Sequence, residues 1–416
     1  MIKLFKNISI VFHRGVDKNI LHWILPVNDE NGDLMFFPLQ SALGFHKSII
    51  YFPDVTALAG NSTFDEEALD RGYDEIVKVM PSRNIIESEG SVVVFSGAGE
   101  GLPSGVMAIV TKFAKLHSST PCYYISGAAP VPATFETFKK FRGSATNLQL
   151  MTKNSFETSV FQKYGEFNLN LNSPRDKKFH WFLGGCRPHR YMLLALLQER
   201  KVLHHGILSY GWQGQPDTPM GVLQSIEDAD QLYRENFKNI IKVCKKHLPD
   251  LPEQQNPYVN RPDTNLSNVA VNMPDADVAI YNNTFFEITT ESSNATSTQV
   301  ENGWMYPSTN PLFLTEKTFR PIAAGLMSVT VGQQGHFGYL ESQGYHPFDS
   351  PQTLKKIDRI YDDEERMIAQ ADYIAEMCNW KNHVLKQHAI DYNSQLAKDN
   401  RTVIANARET IHLHAL

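Results

Sequence analysis

The chain moves between two apolar rhythms. In its first 130 residues the short unbroken runs VVVF (92–95) and CYYIS (122–126) flank SGVMAIVTKFAKLH, where apolar residues return every three or four positions. Short apolar runs bounded by turn residues read as buried strands, and the three-to-four spacing reads as a helix with one covered face. Their alternation predicts a mostly parallel sheet with covering helices. The polar stretch NLNLNSPRDKK (168–178) reads as a linker. The rhythm then restarts with the strand FHWFLGGC (179–186), the helix YMLLALLQERK (191–201) and the strand HGILSY (205–210). Further on, ADVAIYNNTFFEITTES (276–292) reads as a strand and loop, and 253–274, rich in Pro and Asn, as a long loop. The predicted fold class is α/β: two Rossmann-like domains, 1–172 and 173–365, and a C-terminal helical tail, 366–416. In that tail Met367, Ile374, Met377 and Val384 share a face that packs back on the core. A length of 416 residues suits two domains.

Composition narrows the partners. A net charge of −6 gives no general attraction to polyanions, so a nucleic-acid surface would have to be a local basic patch. FETFKKFRG (135–143) and SPRDKKFHWF (173–182) mix basic and aromatic residues and are the candidates. Lys3 and Lys6 precede an apolar run too short for a signal peptide, and no run reaches the ~18 residues of a membrane span. The expectation is a cytoplasmic protein with no membrane partner. Its four cysteines, Cys122, Cys186, Cys244 and Cys378, form no CxxC pair, so neither zinc nor a disulfide framework is expected.

Charge intrudes on the apolar pattern at FLTEKTFRPIAAG (313–325). Thr315 is a natural N-cap for a helix beginning at Glu316, and a helix N-terminus offers unpaired N–H groups and a partial positive charge to an anion. Lys317 and Arg320, three residues apart, share a face of that helix, which suits a diphosphate. Upstream, Glu287 and Glu291 are carboxylates that can accept paired hydrogen bonds from sugar hydroxyls. The plainer alternative is a surface helix whose charges pair with one another, with Glu287 alternating outward on a strand and His189 packing. GAGEGL (97–102) invites a dinucleotide reading, but Leu102 replaces the third glycine and no acid closes the next strand. Asp228-Ala-Asp230 and Asp275-Ala-Asp277 have metal-binding form, yet basic side chains already neutralise a diphosphate, so no essential metal or other cofactor is predicted. No G-x-S-x-G or HExxH occurs.

The order FxxxxES (286–292), TEKTFRPIAAG, a short strand LMSVTVG (326–332), GHFGYLESQGYHPFD (335–349) and a helical tail resembles the C-terminal nucleotide-sugar domain of GT-B glycosyltransferases. It is most similar to the fucosyltransferase-like group and related enzymes of phages and bacteria. RPHR (187–190) resembles the R-x-H-R that opens that domain. The likeness spans residues 179–361. It implies that Glu316 holds the ribose, Lys317 and Arg187 the diphosphate, and Glu291 the sugar or ribose, with Arg190, Thr315 and Arg320 completing the donor site. The donor would be a nucleoside-diphosphate sugar, a UDP-sugar first, and the acceptor a hydroxymethylated base in phage DNA or a cell-surface glycan. Sugar transfer needs a base for the acceptor hydroxyl. Glu100, just after the VVVF strand where parallel sheets place their sites, is the first candidate, and Asp54 the second. A non-catalytic nucleotide-binding protein of the same fold is the remaining alternative.

Overall fold

The protein is described from a computed structural model that covers residues 8–10, 48–52, 66–80, 82–97, 104–127, 129, 145–152, 169–183, 187–210, 218–229, 231–252, 274–291, 299–301, 304–306, 312–394, 396–407 and 412–414. It is an α/β protein of two compact units. Unit 1 comprises 1–159, 297–314 and 406–416, and unit 2 comprises 160–296 and 315–405. The units are therefore discontinuous in sequence, where contiguous segments were expected.

In unit 1, β1 (Ile8–Ile10), β2 (Ser48–Phe52), β3 (Ser91–Gly97), β4 (Cys122–Ser126) and β5 (Leu148–Thr152) lie side by side in chain order, all parallel. Among the described residues the helices between them are α1 (Glu66–Val79), α2 (Arg83–Ile86) and α3 (Ser104–Leu116). When consecutive crossovers advance in one direction with one hand, their helices fall on one face of the sheet. The core follows suit. Phe52, Val93, Phe95, Tyr124 and Leu150 pack with Ile76 of α1 and Val106, Val110 and Phe113 of α3. Phe95 stacks on Phe52 and meets Phe113 edge-on, each at 5.1 Å between ring centroids. Val92 and Val94 alternate to the other face and are equally buried, which explains why this strand reads as an unbroken apolar run.

Unit 2 begins with β6 (Lys177–Phe182), α4 (Pro188–Glu199) and β7 (Gly206–Ser209), followed by α5 (Pro219–Glu227), α6 (Gln231–Asn236), α7 (Lys238–His247), α8 (Pro274–Asn283) and β8 (Thr284–Thr290). The antiparallel pair β9 (Gln299–Glu301) and β10 (Trp304–Tyr306) belongs to the unit 1 portion of the chain. Unit 2 resumes with α9 (Glu316–Ala324), β11 (Met327–Val331), α10 (His336–Ser342), α11 (Leu354–Ile357), α12 (Asp363–Asn379), α13 (Asn382–Ser394) and α14 (Leu396–Ala407). The last strand, β12 (His412–His414), pairs antiparallel with β5 and makes a sixth strand of unit 1's sheet.

The unit 2 sheet runs β7-β6-β8-β11, all parallel. The chain starts at β6, steps to β7 on one side, and returns past β6 to β8 on the other. The reversal opens a topological switch point at the C-terminal ends of β6 and β8, where open α/β sheets bind their ligands.

Several sequence expectations shift here. Residues 274–283 are helical rather than extended, with Pro274 at the first position, where its missing N–H costs nothing. This puts Asp275 and Asp277 in a helix's first turn, a favourable place for acids on dipole grounds alone. Among the described residues the tail forms three helices and the strand β12, and the first helix begins at Asp363, ahead of the expected 366. Met367, Ile374 and Met377 are fully buried, but Val384 is half-buried and its neighbour Leu385 takes the core position. Cys122, Cys244 and Cys378 are free and buried, and burial pushes each thiol up to about 12.

Candidate functional site

Two helices of unit 2 begin at the switch point. α4 starts just after β6, with Arg187 at its N-cap in extended backbone and Pro188 at its first position. No side chain caps this end. α9 starts after Thr315, whose hydroxyl accepts from the Lys317 amide at 3.4 Å. It ends at Gly325, in the left-handed region at φ 72°, where the Leu326 amide donates back to the Pro321 carbonyl at 2.9 Å. Pro321 inside α9 removes the amide that would serve the Lys317 carbonyl. The Thr289 hydroxyl of β8 donates to that carbonyl instead, at 3.4 Å.

That bond is one rung of a ladder. Glu287, Thr289 and Glu291 alternate along β8, so they share one face of the strand, and all three engage α9. Glu291, fully buried, accepts from the Thr315 amide at 3.0 Å, the Thr315 hydroxyl at 2.7 Å and the Thr318 hydroxyl at 2.5 Å. Glu287, 1 % exposed, takes the Arg320 guanidinium in a buried ion pair, with His180 Nε2 at 3.3 Å and the Tyr281 hydroxyl at 3.3 Å. Burial alone would raise the Glu287 carboxyl, but Arg320 and then His180 outweigh it and hold it below the usual carboxylate range.

The two helix ends are joined through the same residue. The Glu291 carbonyl accepts from His189 Nε2 at 2.9 Å and from Arg190 Nη2 at 3.5 Å, both in the first turn of α4. Arg190 also donates to the Leu183 carbonyl at 2.5 Å and the Thr290 carbonyl at 3.5 Å, so its guanidinium spans the ends of β6 and β8.

This geometry sorts the expected donor residues. Arg190, Glu291 and Arg320 are buried and turned to internal partners, so they build the site's frame rather than face a ligand, and Arg320 does not present itself beside Lys317. Thr315 is the cap and is buried as well. The residues that keep some exposure are Arg187, Glu316 and Lys317. Lys317, with 21 % of its side chain exposed, donates to Glu316 Oε1 at 2.9 Å and to the Thr315 hydroxyl at 3.2 Å. An ammonium has three N–H bonds, so one remains for a ligand. Burial raises the Glu316 carboxyl, but the charge and hydrogen bond of Lys317, its own backbone amide and the charge of Arg320 more than offset it and hold it below the usual carboxylate range. Among the described residues the guanidinium of half-buried Arg187 meets no acceptor or carboxylate. Glu100 and Asp54 lie outside the described residues.

The basic run 173–182 does not form an exposed groove. Arg175 is buried against the carbonyls of Tyr281, Thr284 and Asn170. Lys177 and Lys178 donate to the carbonyls of His204 and Trp380, and His180 and Trp181 lie in the interior. Its companion, 135–143, lies outside the described residues. Of the two D-x-D motifs, Asp228 accepts from Gln224 at 3.0 Å at the end of α5, and no group of three metal-ligating side chains occurs among the described residues. No helix among them is long and apolar enough to cross a membrane.

Sequence reasoning passed over Thr318, Thr289 and the buried pair His336–Asp358 at the start of α10, 2.9 Å apart. For Thr289 a signal existed: it stands midway between Glu287 and Glu291, and alternate residues share one face of a strand. Comparison of the chain with protein-family models, with curated proteins and with solved structures finds no match.

Proposed function

We propose that the chain is a glycosyltransferase of GT-B type whose unit 2 binds a nucleoside-diphosphate sugar. The observation that carries this reading is the meeting of two helix N-termini at the switch point of a parallel sheet, flanked by Arg187 and Lys317 and by the carboxylate of Glu316. Helix N-termini and fixed cations favour a diphosphate, while a carboxylate acceptor beside them favours the hydroxyls of a ribose. In transfer, the leaving nucleoside diphosphate gains negative charge as the bond to the anomeric carbon breaks. Arg187, the third N–H of Lys317 and the amides of the α4 end would stabilise that charge, the main electrostatic task of such a step. Unit 1 would take the acceptor, with Glu100 or Asp54 removing its proton.

The donor we propose is a UDP-sugar and the acceptor a hydroxymethylated base in DNA, with a glycan as the second acceptor. With the 173–182 segment turned to internal partners, the DNA acceptor rests on the sequence likeness and on the basic segment 135–143. The test is a thermal-shift and calorimetric screen against UDP, GDP, ADP and CMP and their sugar conjugates. One diphosphate should raise the melting temperature by mass action, and Lys317→Ala and Arg187→Ala should each abolish most of the shift. Wild-type protein that binds none of them would refute the reading. Transfer of radiolabelled sugar to hydroxymethylated oligonucleotide or to glycan then decides the acceptor.

A further inference from the structure

We propose that Glu291, which the sequence likeness makes a sugar or ribose contact, is instead a positioning residue that locks the N-termini of α4 and α9 to each other. This inference rests on the donor reading above for its functional consequence, and on geometry for the coupling itself. Both ends of the residue are committed. Its carbonyl, which can only accept, receives His189 Nε2 at 2.9 Å and Arg190 Nη2 at 3.5 Å from the first turn of α4. The imidazole proton that serves this bond is thereby fixed on Nε2. Its carboxylate receives three donors from the first turn of α9, at 3.0, 2.7 and 2.5 Å. With no exposed surface, the carboxylate has no room for a sugar hydroxyl as well. The Glu291 amide in turn donates to the Val331 carbonyl at 3.0 Å, which anchors the link to β11.

The link uses both carboxyl oxygens as acceptors. Two hydroxyls can rotate, but the Thr315 amide cannot, so three donors converge on one group with two oxygens. A glutamine there keeps one oxygen for the Thr315 amide and the Thr318 hydroxyl and turns its NH₂ toward the Thr315 hydroxyl, which already accepts from the amide and the ammonium of Lys317. An aspartate is one methylene too short to keep the same reach. Movement of α9 then carries Glu316 and Lys317 away from Arg187, which stands on the other helix, and the two halves of the donor site fall out of register.

The experiment uses full-length Glu291→Gln and Thr318→Val, the latter a shape-conserving change on α9 that deletes one of the three donors. Amide hydrogen exchange is followed in peptides covering 187–193 and 315–321, beside nucleotide affinity by calorimetry. Both variants should speed exchange in the first turn of α4 as well as in α9, although neither alters a side chain of α4. Glu291→Gln should weaken the diphosphate found in the screen about tenfold, the loss of one charge-assisted bond. Thr318→Val should do so less, and Glu291→Asp should not restore binding. Unchanged exchange in α4 in folded variants overturns the proposal, as does unchanged affinity in Glu291→Gln when wild type binds. If Glu291→Gln does not fold, Thr318→Val decides alone. A wild type that binds no nucleotide refutes the donor reading, and the exchange data still judge the coupling.

Discussion

The two sheets solve burial in opposite ways. In unit 1, β3 is apolar on both faces and its centre is a cluster of stacked and edge-on rings. In unit 2, the central strand β8 carries Glu287, Thr289 and Glu291 on one face, all buried and all joined to α9. An apolar contact is non-directional, so β3 can hold its helices at many slightly different angles. A buried ion pair or a carboxylate with three donors tolerates only one arrangement, because leaving either side unpaired costs several kcal/mol or more. The polar face of β8 therefore fixes the position of a helix end, and in this protein that end belongs to the candidate site.

Substitutions can break this contrast, and the largest effect should come from Glu287. Glu287→Leu removes the carboxylate that Arg320 meets in the interior and should cost about 3–5 kcal/mol in denaturant unfolding. Adding Arg320→Met should recover much of the loss. In unit 1, Phe95→Ala should cost about as much through the cavity it leaves, but deleting its partner Phe113 as well should deepen the loss. If the Glu287 and Arg320 substitutions simply added, the distinction between the two sheets would fail.

A second effect is set by pH. Burial lowers the His336 pKa, but the Asp358 charge and hydrogen bond overcome it, against a smaller opposing push from Arg366, and the group ends above its ordinary value. A raised histidine contributes stability that is fully present below about pH 6.5 and is lost as pH rises through the folded value. Asp358 is shifted down, chiefly because His336 outweighs its burial, so its share is present above about pH 3.9 and is lost on acidification. Wild type minus His336→Gln, followed by melting temperature, should give a difference that is largest between those limits and shrinks on either side. A difference flat across pH 4–8 would show that the pair is not ionised.

The smallest effect sharpens the ladder itself. Thr289→Val should cost about 1 kcal/mol, because the Lys317 carbonyl then has no donor. Pro321→Ala in the same background should cancel most of that cost by restoring the helical amide. Equal stability of the two Thr289→Val proteins would mean that the long 3.4 Å bond contributes nothing.

Much of this architecture could be read from the chain. The runs at 92–95 and 122–126 are strands, those begun at 179 and 205 contain β6 and β7, the intervening spacing gives α3 and α4, and Thr315 caps the helix that begins at Glu316. These features depend on local periodicity and capping chemistry. What stayed hidden was the direction in which the charged residues turn. Arg320 meets a carboxylate 33 residues upstream, and Arg190 meets carbonyls about 100 residues downstream. Spacing along a helix says that Lys317 and Arg320 are neighbours, but only the partner's position decides that one reaches outward and the other inward. The strand order β7-β6-β8-β11 was equally silent in the sequence, since reversal of a crossover leaves no local mark.

The strand β12 carries a consequence for synthesis. It completes unit 1's sheet, yet it is separated from its partner β5 by the whole of unit 2. On the ribosome, where N-terminal parts emerge and fold first, β5 must wait with one edge unpaired until unit 2 and then β12 have been translated. An open parallel-sheet edge is a template for wrong strands. The nascent chain is thus exposed to misassembly for as long as unit 2 is being made, and unit 1's sheet gains its sixth strand only after unit 2 has emerged.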